Sequence, residues 1–118
     1  MPSSLPNAPT LMKAAIKYLE DELLPELAGY HRFKTRVTIN VLATIKRELE
    51  LRDEHAAREQ SRLVSLLGYE DDIEGLNEEL CGRIREGGIA ADDAALRKHI
   101  RESLREALTI NNPRWIAN

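Results

Sequence analysis

Only five of the 118 residues are aromatic and only one, Cys81, is a cysteine. A single thiol cannot form a disulfide within the chain, which suits a reducing compartment, and the expectation for Cys81 is a buried, inert side chain. No apolar run approaches the roughly 18 residues that span a bilayer. Met1 to Thr10 has neither the basic start nor the apolar core of a secretion signal. These absences imply a soluble, cytoplasmic protein with no membrane partner.

A net positive charge is also lacking. The net charge is -3 and the pI about 5.6, which argues against a nucleic-acid binder that holds phosphates by charge. Motifs that concentrate chemistry are missing as well. There is no Gly-x-Ser-x-Gly, no Walker-type loop and no Gly-x-Gly-x-x-Gly. His31, His55 and His99 lie on three different segments, with no His-x-x-x-His pair and no Glu three residues before any of them, so each reads as a surface histidine. The residues support no catalytic group, no metal site and no cofactor site. A self-contained enzyme would require residues far apart in sequence to converge.

What is present is helical periodicity. Pro2, Pro6 and Pro9 make residues 1–9 an extended N-terminal arm, and residues 10–118 read as a single helical bundle domain. Thr10 is a plausible N-cap for a first helix to about Leu24, with the stripe Met12, Ile16, Leu19, Leu23 and Leu27; Pro25 weakens its last turn and Gly29 ends it. A second helix runs from about His31 to Leu51. Asp53 would cap a third, carrying Ala56, Leu63, Val64 and Leu67 and stopped by Gly68. Asp72 caps a fourth, with Ile73, Leu76, Leu80 and Ile84 inward and Gly87-Gly88 at its end. Asp92 caps a fifth, with the stripe Leu96, Ile100, Leu104 and Leu108, stopped by Asn111-Asn112-Pro113. No segment alternates like a strand. The fold class is all-α, a bundle of about five helices.

The second helix is unusual. At 100° per residue, Arg36, Asn40, Ala43 and Arg47 fall within an arc of about 60°, while Phe33, Val37, Val41, Leu42, Ile45 and Leu49 spread over much of the rest. So wide an apolar sector predicts that helix 2 is central in the bundle. Its polar line is then either satisfied inside the fold or kept for a ligand or partner.

Charge is unevenly spread around that helix. Tyr30 to Arg52 holds six Lys or Arg against two Glu, whereas Glu70 to Leu80 holds six acids and no base. These are either solvated faces that complement each other within the fold or a basic surface for an anionic ligand or acidic partner. Gly75 and Gly82, seven residues apart on one helix, suggest close approach of another backbone, in this chain or in a partner. Trp115, the only tryptophan, would fold back onto the core or anchor an interface.

The order Leu24-Pro25-Glu26-Leu27 with Gly29, then Arg32-Phe33, Arg36-Val37 and Asn40-Val41-Leu42, then Arg47-Glu48-Leu49-Glu50-Leu51, Leu66-Leu67-Gly68, Leu76-Asn77 with Leu80, Ile84-Arg85 with Gly87, and Ile110 with Asn112-Pro113 resembles a small all-helical bacterial family of unknown function. Members of that family accompany kinases of the aminoglycoside-phosphotransferase type and acyl-CoA dehydrogenases. The accessory subunit of the levulinate-pathway hydroxyacyl-CoA kinase resembles it too. The match runs from Leu11 onward, with Thr38 and Val41 where alanine would fit the pattern and Trp115 where tyrosine would.

The resemblance implies a non-catalytic accessory subunit that binds and activates a phosphotransferase-type kinase acting on hydroxyacyl-CoA in acid catabolism. The kinase would hold ATP and magnesium, and acyl-CoA could lie at the shared interface. Under that reading Arg32, Arg36, Asn40 and Arg47 make the partner or ligand contact, because arginine suits carboxylate and phosphate oxygens alike. Two other classes compete. A DNA-binding regulator would use the basic second helix, against which its broad apolar sector speaks, and a homo-oligomeric helical module would pair an exposed apolar face with its own copy.

Overall fold

A computed structural model describes residues 6–116, so most of the expected N-terminal arm lies outside the described residues. The first helix begins earlier than expected. Asn7, not Thr10, is its N-cap: the Asn7 Oδ1 accepts from the Thr10 backbone N–H at 3.0 Å and from the Thr10 hydroxyl at 2.8 Å. Pro9 sits in the first turn, where no N–H is needed. Helix α1 runs Ala8–Tyr18 and continues as a π-helical turn, Leu19–Leu23, and a 3-10 turn, Leu24–Glu26. Pro25 has no N–H to return to the preceding turn, and the helix changes its hydrogen-bond spacing around it.

Gly29 starts the next helix at φ +62°, a left-handed turn that favours glycine. That helix, α2, runs Gly29–Leu67 without a break, then α3 runs Ile73–Arg85 and α4 runs Ala94–Asn111, followed by a 3-10 turn, Pro113–Trp115. Among the described residues there are thus four α-helices and no strand. The all-α class holds, and the count of five is corrected because the second and third expected helices are one. Asp53 is an interior residue, not a cap. Residues 51–55 contain neither glycine nor proline, and an interior Asp costs under ~1 kcal/mol, less than opening two helix ends with their unpaired backbone groups. Ion pairs at i, i+4 flank this stretch, Lys46–Glu50 at 3.1 Å and Glu54–Arg58.

The described residues fall into two compact units that divide between Leu51 and Arg52. In the first, the Met12, Ile16, Leu19, Leu23 and Leu27 stripe is half-buried as its spacing predicted, with Leu24 and Ile39 fully inside. Helix α1 lies antiparallel to the first part of α2. Arg32 reaches back to the Leu24 carbonyl at 2.9 Å, and Asn7, Pro9, Thr10 and Lys13 share a groove with Lys46, Leu49 and Glu50. The central, buried position expected for residues 31–51 is corrected here. Tyr30, Phe33, Val37, Val41 and Ile45 are all exposed, Phe33 at 64% and Val41 at 52%.

In the second unit the core is Leu63, Leu67, Leu76, Leu80 and Leu96, with Val64, Leu66, Ile73 and Ile89 packed against it. Asp72 caps α3 as expected, accepting from the Gly75 N–H at 2.7 Å. A Cβ on Gly75 would first meet the tip of the exposed Asp71 side chain, and Gly82 has nothing within 4 Å. Among the described residues neither is closest to another helix's backbone. Helix α3 closes with a Schellman motif in which Gly87, at φ +80°, donates to the Ile84 carbonyl and Gly88 to that of Arg83. The cap of α4 is Asp93, one residue later than expected, and its carboxylate accepts from the Leu96 N–H at 2.9 Å. The buried side of α4 also differs: Leu96 and His99 are inside, whereas Ile100 and Leu104 are exposed. Trp115 and Cys81 are exposed too, contrary to the plug and the buried thiol expected of them.

Leu76 is fully enclosed and Leu104 is open to water. Urea denaturation is expected to show a loss of about 2–5 kcal/mol for Leu76→Ala and a change within about 0.5 kcal/mol for Leu104→Ala. A large loss from Leu104→Ala would place the expected apolar stripe of α4 in the core after all.

Candidate functional site

On a straight helix the line from Arg36 to Arg47 spans about 16 Å. Arg36 and Asn40 point outward, and neither side chain hydrogen-bonds another described residue. Asn40 contributes only its backbone carbonyl, which accepts from the Thr44 hydroxyl at 3.0 Å. Arg47 is half-buried and donates to the Thr44 hydroxyl at 3.2 Å. Arg32 is exposed along its length but spends one N–H on the Leu24 carbonyl, which ties α2 to the turn after α1. Of the four residues singled out by sequence, Arg36 and Asn40 are thus left for a partner, while Arg32 and Arg47 also hold local structure.

Beside this polar line runs the apolar ridge of Tyr30, Phe33, Val37, Val41 and Ile45. Five exposed large apolar side chains on one stretch of helix form a contiguous patch of the kind that marks interaction surfaces. The Lys34 ammonium lies 5.9 Å from the Tyr30 ring centre, and His31 meets the same ring edge-on at 5.4 Å.

A second polar constellation, missed from sequence, lies in the second unit. Arg62 of α2 forms a forked pair with Glu106 of α4, at 2.8 and 3.2 Å, and donates to the Ser103 hydroxyl at 3.1 Å and to Nδ1 of His99 at 3.2 Å. Because Nδ1 accepts, the neutral imidazole carries its proton on Nε2. His99 is 7% exposed, not the surface histidine its isolation suggested. The signal was available as Leu96, His99, Ser103 and Glu106 at helical spacing, but three of the four are polar and an apolar stripe competed with them. A shallow groove beside this cluster is lined by Ser61, Arg62, Ser65, Leu66, Ala95, Lys98 and His99. The arrangement orders α4 against α2: every polar group that Arg62 offers to α4 is already matched.

Burial pushes the His99 pKa below its ordinary value, the Arg62 guanidinium adds to that, and Glu59 and Glu106 pull weakly the other way. The unfolded chain takes up a proton near the ordinary value of about 6.5, while the folded chain resists until lower pH. Stability from neutral His99 is therefore complete above that ordinary value and is lost as pH falls through the lower folded one. Thermal melts of the protein and of His99→Gln are expected to diverge on acidification from neutral pH, with the wild type falling more steeply. Parallel pH curves would contradict the buried neutral histidine.

Among the described residues no group of three or more His, Cys, Asp or Glu is placed to hold a metal ion, and no helix is long and apolar enough to cross a membrane. The fold is all-helical, and outward polar and apolar lines run side by side along the first part of one long helix. Residues 25–115 match the family model described as Domain of unknown function (DUF6285), and the chain belongs to that family. No curated protein and no solved structure matches the chain.

Proposed function

We propose that the chain is a non-catalytic accessory subunit that binds and activates a phosphotransferase-type kinase acting on hydroxyacyl-CoA in acid catabolism in the cytoplasm. The observation that supports this reading is the outward pair Arg36 and Asn40, whose side chains bond nothing else in the described chain. An arginine and an amide one turn apart can grip a carboxylate of the kinase or a phosphate of the CoA, and Arg32 and Arg47 extend the same charge along the helix. ATP, magnesium and the chemistry belong to the kinase, and this chain supplies a surface. The partner's identity comes from the order of motifs along the sequence. A second reading, a homo-oligomeric helical module without a kinase, draws on the apolar ridge beside the arginines.

Arg36→Glu combined with Asn40→Ala alters exposed positions only, so circular dichroism is expected to match the wild type. Activation of the co-purified kinase on a hydroxyacyl-CoA is expected to fall at least about tenfold, the effect of losing one charged contact. Full activation by the folded double variant would overturn the assignment.

A further inference from the structure

The ridge itself carries information about what covers it. Tyr30, Phe33, Val37, Val41 and Ile45 fall within an arc of about 120°, on the side of α2 away from buried Ile39. The segment Val37–Ile45 contains no charged residue, and Val41 is its midpoint. Between Tyr30 and Arg52, the span that an antiparallel overlap about Val41 covers, three charged residues point into the arc of the ridge, Lys34, Glu48 and Arg52, and all are exposed. Lys34 stands seven residues before Val41 and Glu48 seven after it, with opposite signs, while Arg52 falls opposite Tyr30. Lys34 keeps its ammonium on the ridge side, over the Tyr30 ring.

That pattern is self-complementary in one orientation only. When two such helices run antiparallel about Val41, Val41 meets Val41, Val37 meets Ile45, and each Lys34 faces the other copy's Glu48. A parallel pair would set Lys34 on Lys34 and Glu48 on Glu48, which repel. We propose that two copies of this chain associate through the α2 ridge as an antiparallel pair with its two-fold axis at Val41, an isologous interface. The pairing is independent of any kinase, and the arc carrying Arg36 lies to the side of the seam, open to a further partner.

Sedimentation equilibrium of the full chain across the micromolar range is expected to give twice the 13.4 kDa chain mass. Lys34→Glu and Glu48→Lys are each expected to raise the dimer dissociation constant at least about tenfold, because each creates two opposed like charges, and the double swap is expected to restore it to within about threefold. In a Cys81→Ser background, Val41→Cys is expected to cross-link with its own copy on mild oxidation much faster than Val37→Cys. Circular dichroism reports whether each variant stays helical, and the charge variants sit at exposed positions. A monomer mass throughout, failure of the double swap to rescue, or equal cross-linking at positions 37 and 41 would overturn the proposal. So would protection of the ridge only by a different protein.

Discussion

One short helix cannot cover a helix that is apolar around most of its circumference. That limit shapes the first unit of this protein. Helix α1 and the turn after it shield one side of α2, where Leu24 and Ile39 are buried. The opposite side is left with Tyr30, Phe33, Val37, Val41 and Ile45 in water. Such a ridge carries the free-energy cost of exposed apolar surface. The arginine line beside it follows from the same geometry. Arg36 and Asn40 fall at the edge of the covered side and are exposed among the described residues.

The second unit solves the corresponding problem within itself. Leu63 and Leu67 near the end of α2 meet Leu76 and Leu80 of α3 and Leu96 of α4, so three helices share one apolar core. Next to it Arg62 fixes α4 through Glu106, Ser103 and His99. A guanidinium forked onto a carboxylate and bonded through each of its three nitrogens orients its partner helix in a way that leucines alone do not. Cutting one side of that cluster would leave a charge mostly shielded from water and unpaired, so its members act as a unit.

Much of the fold was legible from local chemistry. Asp72 before an apolar run, Gly68 after Leu67 and Gly87-Gly88 after Arg85 each do what their positions suggested, because caps and left-handed turns depend on a few neighbouring residues. Asp53 was misleading for the same reason. An Asp before an apolar segment is a cap only where the preceding residues leave the helix, and Leu51-Arg52 does not. On α4, helical spacing allowed two buried faces, and the choice is made by Arg62, 37 residues away from His99, which periodicity within α4 does not report. In the candidate site, the wheel set Arg36, Asn40 and Arg47 on one arc; in the fold Arg36 and Asn40 are exposed while Arg47 is half-buried against Thr44. It also showed that α2 is broadly apolar, but apolarity alone does not say whether the cover is this chain or another molecule. Hence Phe33 and Val41 read as core from sequence and stand in solvent in the fold.

The central claim is that the first half of α2 is an open surface of the single chain. Hydroxyl-radical footprinting under dilute conditions where the chain sediments as a monomer tests it directly. Tyr30, Phe33 and Val41 are expected to be oxidised at rates approaching those of the unfolded chain, while Leu63 and Leu76 stay shielded. Protection of Phe33 and Val41 equal to that of Leu76 in the monomer would contradict the account.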